Sequence, residues 1–341
     1  MDSPSPSIET IVNYYLPPPD NGPPPIYNVA TAGSRRMKFD ARRRTITDIR
    51  GREKDFHLDT HGFQYVTDFP SAETAFDDDG RIKTVVYREV EKMLKKATGA
   101  TTVFIFSHII RRDPLSKALN IPKEIDDQEI VRVAAPAWFA HVDQSYDGAW
   151  IALDSISRRD PDPSAKFLKS MARDCRWGII NVWRPIRHVT REPLAVCDAS
   201  SVLESDLQEM TLRPPRDVSA AADDGDDPAA DNDNAVQPAG RHSAYMNYGR
   251  KVPGQAPDQK FWVLRPNDRH RWYWPSEMTP SEALLIKCFD SRTDGRARRA
   301  PHSAIVTPGD HGPPRQSIEL RCLVFWEHEA LERDEDERAR L

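Results

Sequence analysis

The segment Trp138-Phe139-Ala140-His141-Val142-Asp143-Gln144-Ser145 carries the side chains best suited to chemistry in this chain. Side chains alternate along a strand, so His141 and Asp143 point the same way, about two residue rises apart. An imidazole and a carboxylate so placed are two of the three ligands of a facial triad for non-haem iron, whose other positions stay open for co-substrate and oxygen. The third ligand must come from a distant strand. His302 is the best candidate, because it opens the apolar stretch Ser303-Ala304-Ile305-Val306 after a loop begun by Asp294-Gly295. Other histidines suit the role less: His57 and His61 lie in a polar stretch, His188 follows a strand end, and His242 borders an acidic insertion. His270 sits among charges, His311 in a Pro/Gly loop, and His328 after the last strand. His108 is flanked by apolar residues and reads as a hydrogen-bonded core histidine.

Beyond His302 comes Arg315-Gln316-Ser317-Ile318-Glu319-Leu320-Arg321, a strand on which Arg315, Ser317 and Arg321 share one face. A guanidinium grips a carboxylate with two parallel hydrogen bonds, so Arg plus a hydroxyl suits a buried dicarboxylate. Alone, Arg315 reads as a surface residue paired with Glu319 or Asp310. The order HxD, His, Arg-x-Ser along one chain favours the site.

These residues need a β scaffold, and the rest of the chain supplies one. Strands are expected at 102–106, 177–183, 194–197, 261–264, 272–274, 284–289 and 318–326, where β-branched and aromatic residues cluster between Pro, Asp and Asn. Many short strands of this kind point to a sandwich or jelly roll. Apolar residues Ile82, Val85, Val86, Val90, Met93 and Leu94 fall on one face of a helix over 82–98 that Gly99 stops. Asp162-Pro163 starts a short helix reaching Met171, and Thr279-Pro280-Ser281-Glu282 resembles a capping box for one helical turn. Residues 1–100 are read as a wrapping segment and helix packed on a core domain of 101–330, with a charged tail over 331–341. The acidic stretch at about 214–240 has little to bury and reads as a disordered insertion.

The 341 residues include 29 prolines, four separated cysteines and a formal net charge of −5. The charge disfavours nucleic acid as the main partner. No run of 18 apolar residues suggests a membrane span, and no CxxC pair suggests a zinc cluster. Cys175, Cys197, Cys288 and Cys322 read as reduced, buried residues of a cytoplasmic protein.

Taken together, these motifs resemble the fungal hydroxylase/desaturase family that includes gibberellin desaturase and the AsaB-type enzymes. The matching pieces are Tyr14-Tyr15, His141-Val142-Asp143, Asn181-Val182-Trp183-Arg184-Pro185, Trp272-Tyr273-Trp274-Pro275, the run from Glu282 to Ser291, Ala300-Pro301-His302, and Pro314 to Arg321. The resemblance implies a mainly β fold with flanking helices around a double-stranded β-helix (a jelly-roll, cupin-like core). It also implies an iron(II)/2-oxoglutarate-dependent oxygenase that uses O2. His141, Asp143 and His302 would hold the metal, and Arg315 or Arg321 would anchor the 2-oxoglutarate carboxylate beside Ser317. Asn181 and Arg184 would line the active-site wall, while Trp183, Trp272 and Trp274 read as core. The expected partner is a small-molecule substrate, an amino acid or another carboxylated metabolite, oxidised by hydroxylation, desaturation or cyclisation in secondary metabolism.

Tyr245, Asn247 and Tyr248 are candidates for the substrate mouth. The basic loop Arg292, Arg296, Arg298 and Arg299 reads as a solvated turn from which one arginine could meet an acidic substrate. A methyltransferase is disfavoured because no GxG occurs. A non-catalytic β-sandwich binding or scaffold protein, in which the three ligands do not converge, and a metal oxygenase without 2-oxoglutarate are the alternatives.

Overall fold

The computed structural model describes residues 6–20, 22–159, 163–214 and 257–331. Most of the acidic insertion, with Tyr245, Asn247 and Tyr248, lies outside the described residues, as does the tail beyond 331.

Two sheets face one another. The smaller is antiparallel throughout, in the order β4 (Phe63–Val66), β12 (Ala283–Asp290), β7 (Cys175–Pro185), β14 (Ser317–Ala330), β5 (Thr102–Arg111). The larger runs β1 (Ser7–Tyr14), β3 (Asp40–Asp48), β11 (Trp272–Trp274), β8 (Leu194–Cys197), β13 (His302–Ala304), β6 (His141–Val142), β10 (Gln259–Leu264), β9 (Leu207–Arg213), β2 (Tyr27–Asn28). From β11 to β14 the chain crosses from one sheet to the other at every step, and it does so again from β5 to β8. That alternation makes the sandwich a double-stranded β-helix, the mainly β jelly roll expected from the strand pattern.

The expected strands are present and longer than their apolar cores suggested. β5 continues past Phe106 to Arg111, because pairing with β14 satisfies its backbone beyond the apolar run. The N-terminal hundred residues do more than wrap the body. β1, β2 and β3 extend the larger sheet and β4 edges the smaller one, although the polyproline runs hide this in the sequence. Thr279 to Glu282 forms a turn instead of a helical turn. Glu282 N donates to Thr279 O at 3.0 Å and the Glu282 carboxylate receives Thr279 N at 2.6 Å, so the box closes without a helix behind it.

Helix 79–98 starts where the Asp78 side chain accepts from Arg81 N and ends at Gly99, whose φ of 70° suits glycine. Its Ile82, Val86, Val90 and Leu94 are buried against Val182, Ile318, Leu320 and Cys322 on the outer face of the smaller sheet. Each such side chain contributes about 1.5–3 kcal/mol relative to exposure. His108 lies at this layer as the expected core histidine, its Nδ1 3.0 Å from Tyr87 Oη. Helices Tyr146–Arg159 and Pro163–Asp174 close one end of the sandwich over Trp177, Phe289 and Phe325. All four cysteines are free and buried, and no helix among the described residues is long and apolar enough to cross a membrane.

A buried ionic cluster joins this end to the N-terminal segment. Asp290 accepts from Arg176 Nη2 at 2.6 Å and Lys287 Nζ at 2.8 Å, and Lys287 Nζ also reaches Asp59 at 2.7 Å. Asp290→Ala removes the one fully buried anion between two buried cations. Unfolding in urea should show a loss of about 3–5 kcal/mol. A loss under about 1 kcal/mol would mean that Asp59 and Glu329 compensate for it.

Candidate metal centre

His141 and His302 are brought together by register: β6 and β13 are antiparallel neighbours, and the two histidines are direct pairing partners. Their ring centroids lie 4.5 Å apart. Asp143 follows on the same side of the chain, with Oδ1 3.4 Å from His141 Nε2 and 4.0 Å from His302 Nε2. One ligand atom from each residue falls within 4.8 Å of the other two, and this is a possible metal-holding group among the described residues. Atoms each about 2 Å from a shared ion lie roughly 3–4 Å apart, so the group is close to the size an ion requires.

Their surroundings orient them. His141 Nδ1 is 2.8 Å from Phe139 O and His302 Nδ1 is 3.2 Å from Ala300 O. A carbonyl only accepts, so each Nδ1 carries a proton and donates it, which leaves Nε2 as the ring nitrogen facing Asp143. His302 Nε2 is buried and has no hydrogen-bond partner. Burial, followed by the neighbouring His141, pushes the His302 pKa down to about 3, which keeps the imidazole neutral. Asp143 Oδ2 accepts from Asn181 Nδ2 at 2.8 Å and from Arg321 Nη2 at 2.7 Å. Burial alone would raise its pKa, but the Arg321 guanidinium outweighs that and holds the carboxyl well below its ordinary range.

Asn181 and Arg321 are register partners on β7 and β14, so the smaller sheet holds the carboxylate that the larger sheet supplies. Asn181→Ala removes one of the two side chains on Asp143 Oδ2. A manganese(II) titration should then show about 10–100-fold weaker binding, with the unfolding midpoint little changed. Unaltered affinity would make Arg321 sufficient by itself.

The arginines divide by what they already hold. Arg321 is committed to Asp143, and its Nε donates to Glu319 at 3.1 Å. Arg315 is buried at 3 % exposure. Its Nη1 donates to Glu192 O at 2.7 Å, its guanidinium lies 5.2 Å from the Trp183 ring centroid, and its Nε has no partner. It pairs with neither Glu319 nor Asp310: Glu319 takes Arg321 Nε, and Asp310 accepts from Glu192 N and Thr307. Burial, then the nearby Arg111, pushes the Arg315 pKa down to about 9, as expected of a cation without a carboxylate partner. Ser317 is buried and lies opposite Arg111 of β5 in the sheet register.

A cavity of about 120 Å³ opens beside the triad. His141, Asp143, Gln144, Arg321 and Arg111 line its inner end, and Tyr27, Phe39, Trp138, Phe139 and Phe261 its aromatic wall. Arg315 and Ser317 are not among its lining residues.

Residues 12–225 and 236–325 match the oxidoreductase/YMDC permease-like domain family. Hydroxylase/desaturase CTB9 of Cercospora beticola is 40% identical over 332 residues, covering 96% of this chain and 89% of that protein. Hydroxylase/desaturase efuI of Hormonema carpetanum is 36% identical over 329 residues, covering 96% and 98%. The chain belongs to this hydroxylase/desaturase family. Among solved structures, the iron and alpha-ketoglutarate-dependent endoperoxidase NvfI superposes with a TM-score of 0.65 at 21% identity, over 95% of this chain and 98% of that one. The likeness confirms the jelly-roll fold.

In this hydroxylase/desaturase, five of the eight residues singled out in the sequence cluster at the triad: His141, Asp143 and His302 directly, with Asn181 and Arg321 on Asp143. Ser317 lies on the same face of β14 as Arg321, farther along, while Arg315 precedes that strand, which corrects the expectation that all three share it. Arg184 does not belong with them. Its Nη2 donates to Phe69 O at 3.2 Å and Pro280 O at 2.6 Å, and its guanidinium lies 4.7 Å from the Phe69 ring centroid. It therefore packs in the helix layer on the outer face, and the expectation that it lines the active-site wall is corrected. Asn181 and Arg184 stand three apart on one strand, which puts them on opposite faces.

The basic loop also differs from a solvated turn. Arg296 is held by Asp294 and Asp59, Arg299 by Glu204 at 2.9 Å, and Arg298 lies 4.0 Å over the Tyr146 ring. None of these arginines lines the cavity. Sequence reasoning missed Arg111 and Glu319. Arg111 follows the apolar run by several residues, and its alternation with Ser107 and Ile109 was the only signal for it. Glu319, buried between Arg321 and the sheet, has its pKa raised by burial and then by Asp143.

Proposed function

We propose that this protein is an iron(II)- and 2-oxoglutarate-dependent oxygenase of secondary metabolism that oxidises a C–H bond of a small molecule. The observation that carries the reading is the convergence of His141, Asp143 and His302, with His302 Nε2 buried and unpaired. Two imidazole nitrogens and one carboxylate on one side suit a facial iron site, so these residues fit the metal. The arrangement disfavours the scaffold alternative, which required the three side chains to stay apart. The name of the structural relative NvfI, iron and alpha-ketoglutarate-dependent, agrees with this reading.

Bound iron(II) with 2-oxoglutarate would supply the oxygen activation and C–H oxidation that no side chain provides. The chain's own residues do the positioning. Phe139 O and Ala300 O orient the imidazoles through their Nδ1 atoms, while Asn181 and Arg321 hold Asp143 Oδ2 so that Oδ1 faces the two Nε2 atoms and would be the oxygen offered to a metal. Arg315, the buried cation without a carboxylate, would take the far carboxylate of 2-oxoglutarate with Ser317 beside it. Arg321 serves as the anchor less well, because its charge already faces two carboxylates, with Nη2 on Asp143 and Nε on Glu319. The aromatic wall excludes water from the bound substrate. A reducing compartment such as the cytoplasm suits the four free cysteines.

The test is anaerobic titration of the full chain with iron(II) and then 2-oxoglutarate. One metal per chain and a visible charge-transfer band on adding the acid are expected. If iron binds but 2-oxoglutarate leaves the spectrum and the affinity unchanged, the metal oxygenase without this co-substrate takes its place. Absence of metal binding would defeat the reading.

A further inference from the structure

Among the described residues, the charges around the cavity are one-sided: Arg35, Arg111 and Arg321 line it, and Asp143, already held by Asn181 and Arg321, is the one carboxylate. An ammonium group entering here would find no free anion, and burying it unpaired is costly. The aromatic wall continues outward: Phe39 and Phe139 stack at 5.0 Å, and Tyr27 and Phe261 meet edge-on at 5.9 Å. The same four rings border a second apolar cavity of about 110 Å³, so the lining favours an extended apolar scaffold.

Arg111 stands at the junction of this wall with the metal end. Its Nη1 donates to Ala135 O at 2.8 Å, which fixes the guanidinium, and no carboxylate pairs with it among the described residues. Arg315 lies deeper and does not line the cavity, so the two arginines suit two different carboxylates. We propose that the substrate is an apolar acid, not an amino acid, and that Arg111 is the specificity-determining residue that binds its carboxylate. This rests on the oxygenase reading for what happens to the substrate, but its binding does not require the metal. The selection follows from charge: an acid gains a charge-assisted pair with Arg111, a neutral analogue does not, and a zwitterion brings an ammonium with no partner.

Isothermal titration of the metal-free full chain with 2-naphthylacetate, 2-naphthylacetamide and 2-naphthylalanine tests the idea. Wild type should bind the acid about tenfold or more tightly than the amide, with the amino acid weakest. Arg111→Gln should abolish the preference for the acid, while Arg111→Lys, which keeps the charge, should retain part of it. 2-Oxoglutarate binding to the manganese(II)-loaded Arg111→Gln protein should stay within about twofold of wild type. Equal binding of acid and amide by wild type, no binding of the acid, or an unchanged preference in Arg111→Gln would each overturn the proposal. So would loss of 2-oxoglutarate binding in that variant, which would assign Arg111 to the co-substrate. Failure of the oxygenase reading would appear separately, as absent metal binding with the acid preference intact.

Discussion

Replacing His302 with alanine is expected to abolish tight metal binding while leaving the fold in place. The imidazole is one of three ligands, and among the described residues no fourth imidazole or carboxylate joins the group to replace it. Loss of a supporting hydrogen bond behind a ligand already costs about 10–100-fold in affinity, so loss of the ligand itself should exceed about 100-fold. The metal-free protein has little reason to unfold, because its Nε2 is a buried polar atom without a partner. Manganese(II) titration and thermal unfolding of the same sample separate the two effects. Wild-type metal affinity in the variant would remove His302 from the ligand set.

The second large effect is expected at Arg315. Arg315→Met keeps most of the side-chain volume and removes a charge that is buried without a carboxylate. Removing one partner of a buried charged pair costs about 2–5 kcal/mol of binding, roughly 30-fold or more in affinity. Stability should move the other way or not at all. The variant gives up a hydrogen bond to Glu192 O and the contact with Trp183, but it also ends the desolvation of a lone guanidinium. A weakened 2-oxoglutarate affinity together with an unchanged or raised unfolding midpoint is the signature of a cation kept for a ligand. Unchanged affinity for 2-oxoglutarate would pass the role to Arg321 or Arg111. A large fall in stability alone would make Arg315 a structural residue.

These expectations separate residues that belong to the metal from residues that only hold the frame. Asp290 and Lys287 are as buried as His302, yet each is satisfied by an opposite charge. Arg184 is also deeply buried, but carbonyl oxygens and aromatic rings surround it on the far face of the sheet. Burial therefore does not mark function here. An unpaired polar atom does not mark it alone either, since Arg184 Nε and Nη1 are unpaired as well; His302 Nε2 stands out because it also converges with His141 and Asp143.

Much of the site was legible along the chain because strand alternation is local. His141 and Asp143 two apart, and Ser317 and Arg321 at odd positions of β14, follow from the two-residue period once the segments are known to be extended, whereas Arg315 falls just before that strand. The same period argued against grouping Arg184 with Asn181, and the shared motif hid that. The apolar runs located the core strands, but their ends depended on partners: β5 reaches Arg111 because β14 offers backbone groups to pair with. β1 and β3 were obscured by neighbouring prolines and by polar, arginine-rich alternation that pays off only when the larger sheet already exists.

The sequence by itself determined the kinds of donor atoms available, the faces of the strands they occupy and the family to which they are similar, since those depend on residue type and short-range periodicity. Only the tertiary structure decided which distant strands lie side by side. It put His302 opposite His141, spent Arg321 on Asp143, left Arg315 without a carboxylate, and aimed Arg111 at the cavity. Register and the allocation of charges between partners are set by pairing across the whole sandwich, and no stretch of neighbouring residues encodes them.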